Sequence, residues 1–509
     1  MARNTKVGFM LLLITGISKV AALLLTIVFS RLFGADVLTD SYYAAAAVPN
    51  LINNSLTVSS LTLFVPLFIE CQSKEGKICA DQFGSCVLNV YVIFNIILTI
   101  AACVFSPILA SIVAPGFKGE ALSHTERFIC LLSLSFSITI ATQVLINISN
   151  ANRKHLAQAV FTLMNHVLTI VLLIIVAPRF GIYSYPFICL ASWIVNLLLQ
   201  YVYTGKFFKH SFKVNYKNPY LLKMLKLSIP VIFATATEQI NLTVDNVLTS
   251  TLETGSLTYL GYSHKIYTAV LGLFTSVLLT IYYPQISQHY STSKEKAKDD
   301  IRVCLDVLLL MVVPTAVYLC LNSSDIIGTL YGHGAVSDKG LNVISQLFAI
   351  YVMGLIFASI KEVLTKIFYV IQDTKTPMRI NICCVVLNIV LSIILKYFIG
   401  VRGIAIATTI ATSICMFIQV IFLYKRGENL LINKVMNIKH YIQVFLASAL
   451  AAFANYFLLM LTNRYELPYL VISIITFVFF IVVFLIVLFI AHNTYCYSFG
   501  KKIRGRRSM

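Results

Sequence analysis

The sequence predicts an all-α integral membrane protein of about fourteen transmembrane helices. They form two parallel six-helix repeats, as two lobes around a central cavity, plus two extra C-terminal helices. Three observations carry this. Of 509 residues, 59% are hydrophobic and only 12% are charged, with mean hydropathy +0.86, whereas a soluble globular chain carries about 25% charged residues. The apolar runs are continuous, as in VFTLMNHVLTIVLLIIVA at 160–177 and LVISIITFVFFIVVFLIVLFI at 470–490. They meet the roughly 20 residues that a crossing helix needs and lack the alternation of barrel strands. Finally, the second half of the chain repeats features of the first.

The spans fall at roughly 7–31, 41–69, 86–114, 125–149, 156–178, 182–204, 224–251, 257–285, 302–322, 341–371, 379–398, 403–424, 439–462 and 467–491. The first is read as retained, because no cleavage site followed by a polar segment succeeds it. Basic residues gather before span 1 and after the even-numbered spans. Examples are Lys74 and Lys77, Arg153 and Lys154, Lys206, Lys209, Lys213 and Lys217, and Lys501 to Arg507 in the tail. Loops after odd-numbered spans hold a sparse set such as Arg31, Lys118 and Arg402. The positive-inside rule puts both termini in the cytoplasm.

The net charge of +19 therefore belongs to cytoplasmic loops, and no nucleic-acid motif accompanies it. No Walker A motif is present, so the chain carries no P-loop ATPase of its own. The longest polar connections, 206–223, 288–301 and 425–438, are too short to fold alone. A membrane glycan polymerase would need large catalytic loops, so the reading is a transporter and not an enzyme. The twelve cysteines show neither a CxxC pair nor a His/Cys zinc spacing, and most of them read as small apolar packing residues.

The repeat sets FVPLFIECQSKEGK (64–77) against YYPQISQHYSTSKEK (282–296), with Pro66 matching Pro284. It also sets MNHVLTIVLLIIVAPRFGI (164–182) against VLNIVLSIILKYFIGVRGI (386–404), matching Asn165 with Asn388 and Gly181 with Gly403. Six spans return the chain to its starting side, so the copies are parallel and the substrate site is expected between them. The division is 1–215 for spans 1–6, 216–426 for spans 7–12, and 427–509 for spans 13–14 and a basic cytoplasmic tail.

Ionisable residues inside spans mark function by default, because a charge there is costly. They are Lys19, Glu238, Asp245, Lys265, Lys361, Glu362 and Lys366. Glu362 and Lys366 have the spacing of a helical ion pair. Lys19 and Lys265 come one from each repeat, and a cationic groove suits a phosphate ligand. His264 beside Lys265 is either a further substrate contact or a hydrogen-bonded core histidine. Asp245 sits among Asn241, Thr243 and Asn246. It is either a hard-cation ligand, approached by Asn388 and Thr408, or the partner of Lys265.

Seven segments carry a resemblance in their order and spacing. They are SRLFGADVLTDSYYAAAAVPNL (30–51), FVPLF (64–68), APGF (114–117), VDNVLTSTLETGSLTYLGYSHKI (244–266), YPQIS (283–287), LYGHGAVS (330–337) and FYVIQDTKTPMRI (368–380). Together the chain resembles the MurJ/MviN lipid II flippases, within the multidrug/oligosaccharidyl-lipid/polysaccharide exporter superfamily, across spans 1–12 and more weakly beyond. The resemblance implies an inner-membrane flippase that moves lipid II to the outer leaflet, driven by membrane potential or sodium. It implies lipid II and membrane lipids as ligands, cell-wall synthesis proteins as partners, and Na+ rather than an organic cofactor.

The family's cationic pattern carries over in part. Its Ser-Arg in span 1 falls on Ser18-Lys19, and its span 8 arginine falls on Lys265. Its later Arg-Asp pair falls on Leu25 and Thr26, and two further arginines fall on Asn53 and Asn54, which are kept as substrate-binding candidates. Its span 7 aspartate matches Asp245, while a span 11 carboxylate falls near Asn388. The alternatives are a Wzx-type flippase of another polyprenyl-diphosphate-linked oligosaccharide and a MATE-type drug/cation antiporter. The antiporter would set acidic rather than basic residues in the cavity.

Overall fold

A computed structural model describes residues 2–213, 215, 217–425, 438–462 and 468–491. The side chains of 2–9, 12, 55–62, 136–137, 230, 233–236 and 238 lie outside that description, so Glu238 does too, as does the basic tail. Helices are the only regular structure among the described residues, joined by short turns and loops. In order they form α1 (Ala2–Phe33), α2 (Val37–Glu75), α3 (Lys77–Val104), α4 (Ser106–Val113), α5 (Glu120–Ala151) and α6 (His155–Phe180). α7 (Ser184–Thr204), α8 (Pro219–Thr249), α9 (Ser256–Thr292), α10 (Lys294–Leu321), α11 (Ser323–Tyr331) and α12 (Asp338–Met353) follow. The last are α13 (Leu355–Val370), α14 (Lys375–Ile399), α15 (Val401–Lys425), α16 (Ile438–Thr462) and α17 (Tyr469–Ile490).

Among the described residues, eleven helices are long and apolar enough to cross a membrane. There are twelve if α12 and α13, bent by 43° at their break, count as one. The sequence expectation is fourteen, and the difference lies in α2 and α8. Their 39 and 31 residues exceed the length required, but polar side chains interrupt their apolar character. α2 carries Asn50, Asn53, Asn54, Ser55 and Thr57; α8 carries Gln239, Asn241, Thr243, Asp245 and Asn246. Polar helices in a membrane protein line water or protein rather than lipid.

The chain forms two compact units, Met1–Gly261 and Tyr262–Met509. The sequence division falls at 215/216 instead. α8 joins the first unit because it packs along α2, where Asn54 Nδ2 donates to Gln239 Oε1 at 3.1 Å. Within this unit α2 also packs on α5, and α1 packs on α6. Its core sets Phe64 and Phe68 of α2 with Phe83 of α3, Val144 of α5 and Met224 of α8. In the second unit α14 pairs with α15 and α10 with α16. Leu309, Val313 and Tyr318 of α10 pack there with Phe480 and Phe484 of α17. Tyr318 Oη donates to the Ser473 carbonyl at 2.8 Å, satisfying a hydroxyl that lipid would leave without a partner.

The structure shifts the repeat register by three residues at one point. α6 ends at Gly181 (φ +67) and α14 at Gly400 (φ +62), conformations that favour glycine. Ser184 N then donates to Gly181 O at 3.1 Å, and Gly403 N to Gly400 O at 3.0 Å. Gly181 thus corresponds to Gly400, and Gly403 to Ser184. Pro66 and Pro284 lie inside α2 and α9, consistent with their match.

Candidate functional site

One end of the first unit is closed by a buried carboxylate. α2 starts in a capping box: Thr39 N donates to Asp36 Oδ1 at 2.9 Å, and Asp36 N to Thr39 Oγ1 at 2.7 Å. This start sets Asp40, 3% exposed, toward the turn between α8 and α9. Its Oδ2 accepts from Gly255 N at 2.6 Å. Its Oδ1 accepts from Thr258 N at 2.8 Å and Thr258 Oγ1 at 2.6 Å. Gly255 has φ +89, and a Cβ there would lie 2.8 Å from the Tyr259 ring, so the turn requires glycine. Gly116, in the APGF stretch, packs against the Ser250 backbone, and Gly261 packs against the Tyr43 ring. Ala44, Ala114 and Leu257 are buried together beside them. Gly116 lets two backbone segments approach closely, and Gly255 and Gly261 leave room for tyrosine rings.

A cavity of about 400 Å³ opens between α1 and α6. Ser18, Lys19, His155, Gln158, Thr162 and His166 line it. Ser18 is buried and Lys19 exposed, so the ammonium borders an accessible recess with hydroxyl, amide and imidazole groups in its wall. The sequence expectation puts Lys19 in a groove shared by the two repeats, whereas this cavity is lined by α1 and α6 of the first unit. A lone ammonium with hydroxyl and amide neighbours can hold a phosphate oxygen as a point charge.

The α2–α8 seam separates two neighbouring candidates. Asn53 is buried, and its Nδ2 donates to the Pro49 carbonyl one turn earlier at 3.0 Å. Asn54 is exposed and reaches Gln239 on α8. Asn54 is therefore the one a ligand can reach. Asp245 lies on the same α8, 4% exposed, and its carbonyl accepts from Thr249 Oγ1 at 2.6 Å.

The remaining candidates belong to the second unit. Lys265 is exposed on α9. His264 is half-buried, with its ring 5.4 Å edge-on from Tyr351, which stacks on Tyr267. It packs as a member of an aromatic cluster. Asn388 is 2% exposed on α14. Thr408 on the adjoining α15 donates to the Ile404 carbonyl at 3.1 Å. Lys366 sets its Nζ 5.4 Å from the Tyr369 ring centre, a cation–π contact not anticipated for this residue.

The opposite end of the first unit is held differently. Glu70 of α2 accepts from Lys74 at 2.8 Å and from Lys223 of α8 at 3.1 Å. Lys74, and then Lys223, hold the Glu70 carboxyl below the usual carboxylate range. Between the two ends, Cys103 of α3 and Cys130 of α5 form a disulfide. The reading of cysteines as packing residues fails for this pair. Asp40, Gln239 and the disulfide are the parts that the sequence reading missed.

The fold and these features define a class: a polytopic membrane transporter with cationic and polar groups on helices that membrane lipid would not tolerate. The family model for lipid II flippase MurJ matches residues 29–484, and the chain belongs to that family. A probable lipid II flippase of Thermotoga maritima is 25% identical over 398 residues, covering 78% of this chain and 80% of the relative. Among solved structures, a lipid II flippase MurJ in an inward closed conformation is similar with TM-score 0.83 and 24% identity. That likeness covers 96% of this chain and 99% of the other. An outward-facing MATE family multidrug transporter matches with TM-score 0.62 and 14% identity, over 84% of this chain and 96% of its own, a likeness of fold alone.

Proposed function

We propose that this chain translocates lipid II, the undecaprenyl-diphosphate-linked peptidoglycan precursor, from the inner to the outer leaflet of the plasma membrane by alternating access. The family match over residues 29–484 carries this reading. Lys19 supports it, because its recess offers positive charge and hydroxyl or amide partners to a diphosphate. Lys265 is proposed to offer a second cation from its own unit. Both termini are cytoplasmic in this proposal. The disulfide supports that orientation, since such bonds persist in oxidising compartments. Cys103 lies about 39 Å along α3 from the Lys77 end.

The Asp40 contacts supply a barrier for the cycle. Hydrogen bonds to a charged group contribute roughly 1.5–3 kcal/mol each. Opening that end must break three of them, so substrate binding or an ion gradient has to offset several kcal/mol. Na+ at Asp245 is the proposed coupling ion, because a buried carboxylate near amides is a hard oxygen ligand. The test is rescue of a strain depleted of its own lipid II flippase. Growth restored by the wild-type chain, and lost in Lys19→Ala at equal protein level, is expected. Failure of an expressed and inserted wild-type chain contradicts the proposal. Sodium-independent rescue that persists in Asp245→Ala would remove the coupling role alone.

A further inference from the structure

The junction of α2 and α3 carries a cluster that transport does not use. α2 ends at Glu75, the chain turns at Gly76 (φ +87), and α3 starts at Lys77. This break brings together Cys71, Glu75 and Cys79, a C-x3-E-x3-C spacing that would run as successive turns if the helix were continuous. Cys71 Sγ lies 3.3 Å from Cys79 Sγ, and Cys79 Sγ lies 2.9 Å from Glu75 Oε2. All three ligand atoms fall within 4.8 Å of one another. Cys71 is buried, Cys79 half-buried and Glu75 exposed, so the cluster has a fixed floor and an open mouth.

We propose that Cys71, Glu75 and Cys79 bind Zn2+, with a fourth position open to water. Two thiolates select a soft or borderline metal over Na+, Mg2+ or Ca2+, and the carboxylate favours zinc over Cu+. Zn–S bonds of about 2.3 Å and Zn–O bonds of about 2.1 Å require tetrahedral S–S and S–O separations of about 3.8 and 3.6 Å. The observed distances are shorter, as expected of a thiol hydrogen-bond chain. They need widen only by about half an ångström or slightly more, a side-chain rotation, to meet tetrahedral geometry. Each thiol gives its proton to solvent as its sulfur takes the metal, so binding releases two protons.

The surroundings favour a fixed site. Tyr220, in the first turn of α8, is buried in the same core as Cys71, and its ring centre lies 5.9 Å from that of Phe83 of α3. Glu70 engages Lys74 and Lys223, keeping those ammonium groups occupied beside the site. Bound zinc would clamp α2 to α3 across Gly76 and, through Tyr220, brace both against α8.

The test uses the purified full chain, reduced with a phosphine, loaded with Zn2+ and desalted before metal analysis. One zinc ion per chain is expected. It should be lost in Cys79→Ser, at a half-buried position, and diminished in Glu75→Gln at an exposed one. Co2+ in place of Zn2+ should give a thiolate-to-cobalt charge-transfer band that the same variants lose. Peptide-resolved alkylation should show Cys71 and Cys79 protected by Zn2+, while the exposed Cys383 labels equally with and without it. Three results overturn the site: uptake unchanged in both variants, no protection of the two thiols, or a Cys71–Cys79 disulfide with no metal retained under the same reduction.

Discussion

The two ends of the first unit are closed by opposite kinds of chemistry. At the Asp40 end, a buried carboxylate accepts two backbone amides and one hydroxyl, and glycines bring the chain into close contact. At the Glu70 end, one partly exposed carboxylate meets two exposed lysines. Buried charge-assisted bonds to backbone are costly to break, while exposed ion pairs exchange readily with water. The comparison teaches that the Asp40 carboxylate itself holds its end, whereas at the Glu70 end the exposed ion pairs add little to the buried core of Phe64, Phe68 and Phe83 that packs beside them.

The largest expected effect comes from removing the carboxylate. Asp40→Ala leaves the Gly255 and Thr258 donors buried without their acceptor, at about 1–3 kcal/mol each. Transport should be lost, and amide hydrogen exchange at Gly255 and Thr258 should accelerate. Unchanged protection of those amides would break the comparison. Asp40→Asn, which keeps an acceptor but not the charge, should fall between.

Lys19→Ala comes next. Rescue of flippase depletion should fail at normal protein level, while thermal stability stays within about 0.5 kcal/mol of wild type, because Lys19 is exposed. Lys19→Arg should retain activity, since the guanidinium also binds phosphate. Full activity of Lys19→Ala would remove the recess from the substrate path.

Cys103→Ser should lower stability by about 3.5 kcal/mol, the loop-closure value for a bridge of this separation, as read from thermal unfolding in detergent. Transport by the surviving protein should be little changed, because the bridge lies away from Lys19 and Asp40 in sequence and fastens α3 to α5. The smallest effect is assigned to Glu70→Gln. Its unfolding midpoint and its rescue of growth should match wild type. A large loss would mean that the Glu70 end is the firmer one.

Helix existence and the candidate charges were legible in the sequence for one reason: a Lys or Asp in an apolar run is conspicuous. Lys19 and Asp245 stood out in that way. Asp40 did not, because an aspartate four residues after the capping Asp36 reads as part of a helix start. Its partners lie 215 and 218 residues away. The polar character of α2 and α8 was visible residue by residue, yet their length alone led to a count of fourteen spans. Apolar repeats tolerate small slips: sequence alone pairs Gly181 with Gly403, while the positive φ that Gly181 shares with Gly400 sets the register three residues earlier. Cys71 and Cys79 do not have the spacing of a standard zinc motif, and the turn at Gly76 brings them together.

The most direct measurement is the amount of lipid II exposed on the outer leaflet. Cells depleted of their own flippase and supplied with this chain are treated with an externally added enzyme that cleaves lipid II. The account predicts that cleavage is restored by the wild-type chain and abolished by Lys19→Ala and Asp40→Ala. Lipid II that stays protected in cells containing the inserted wild-type chain would contradict it.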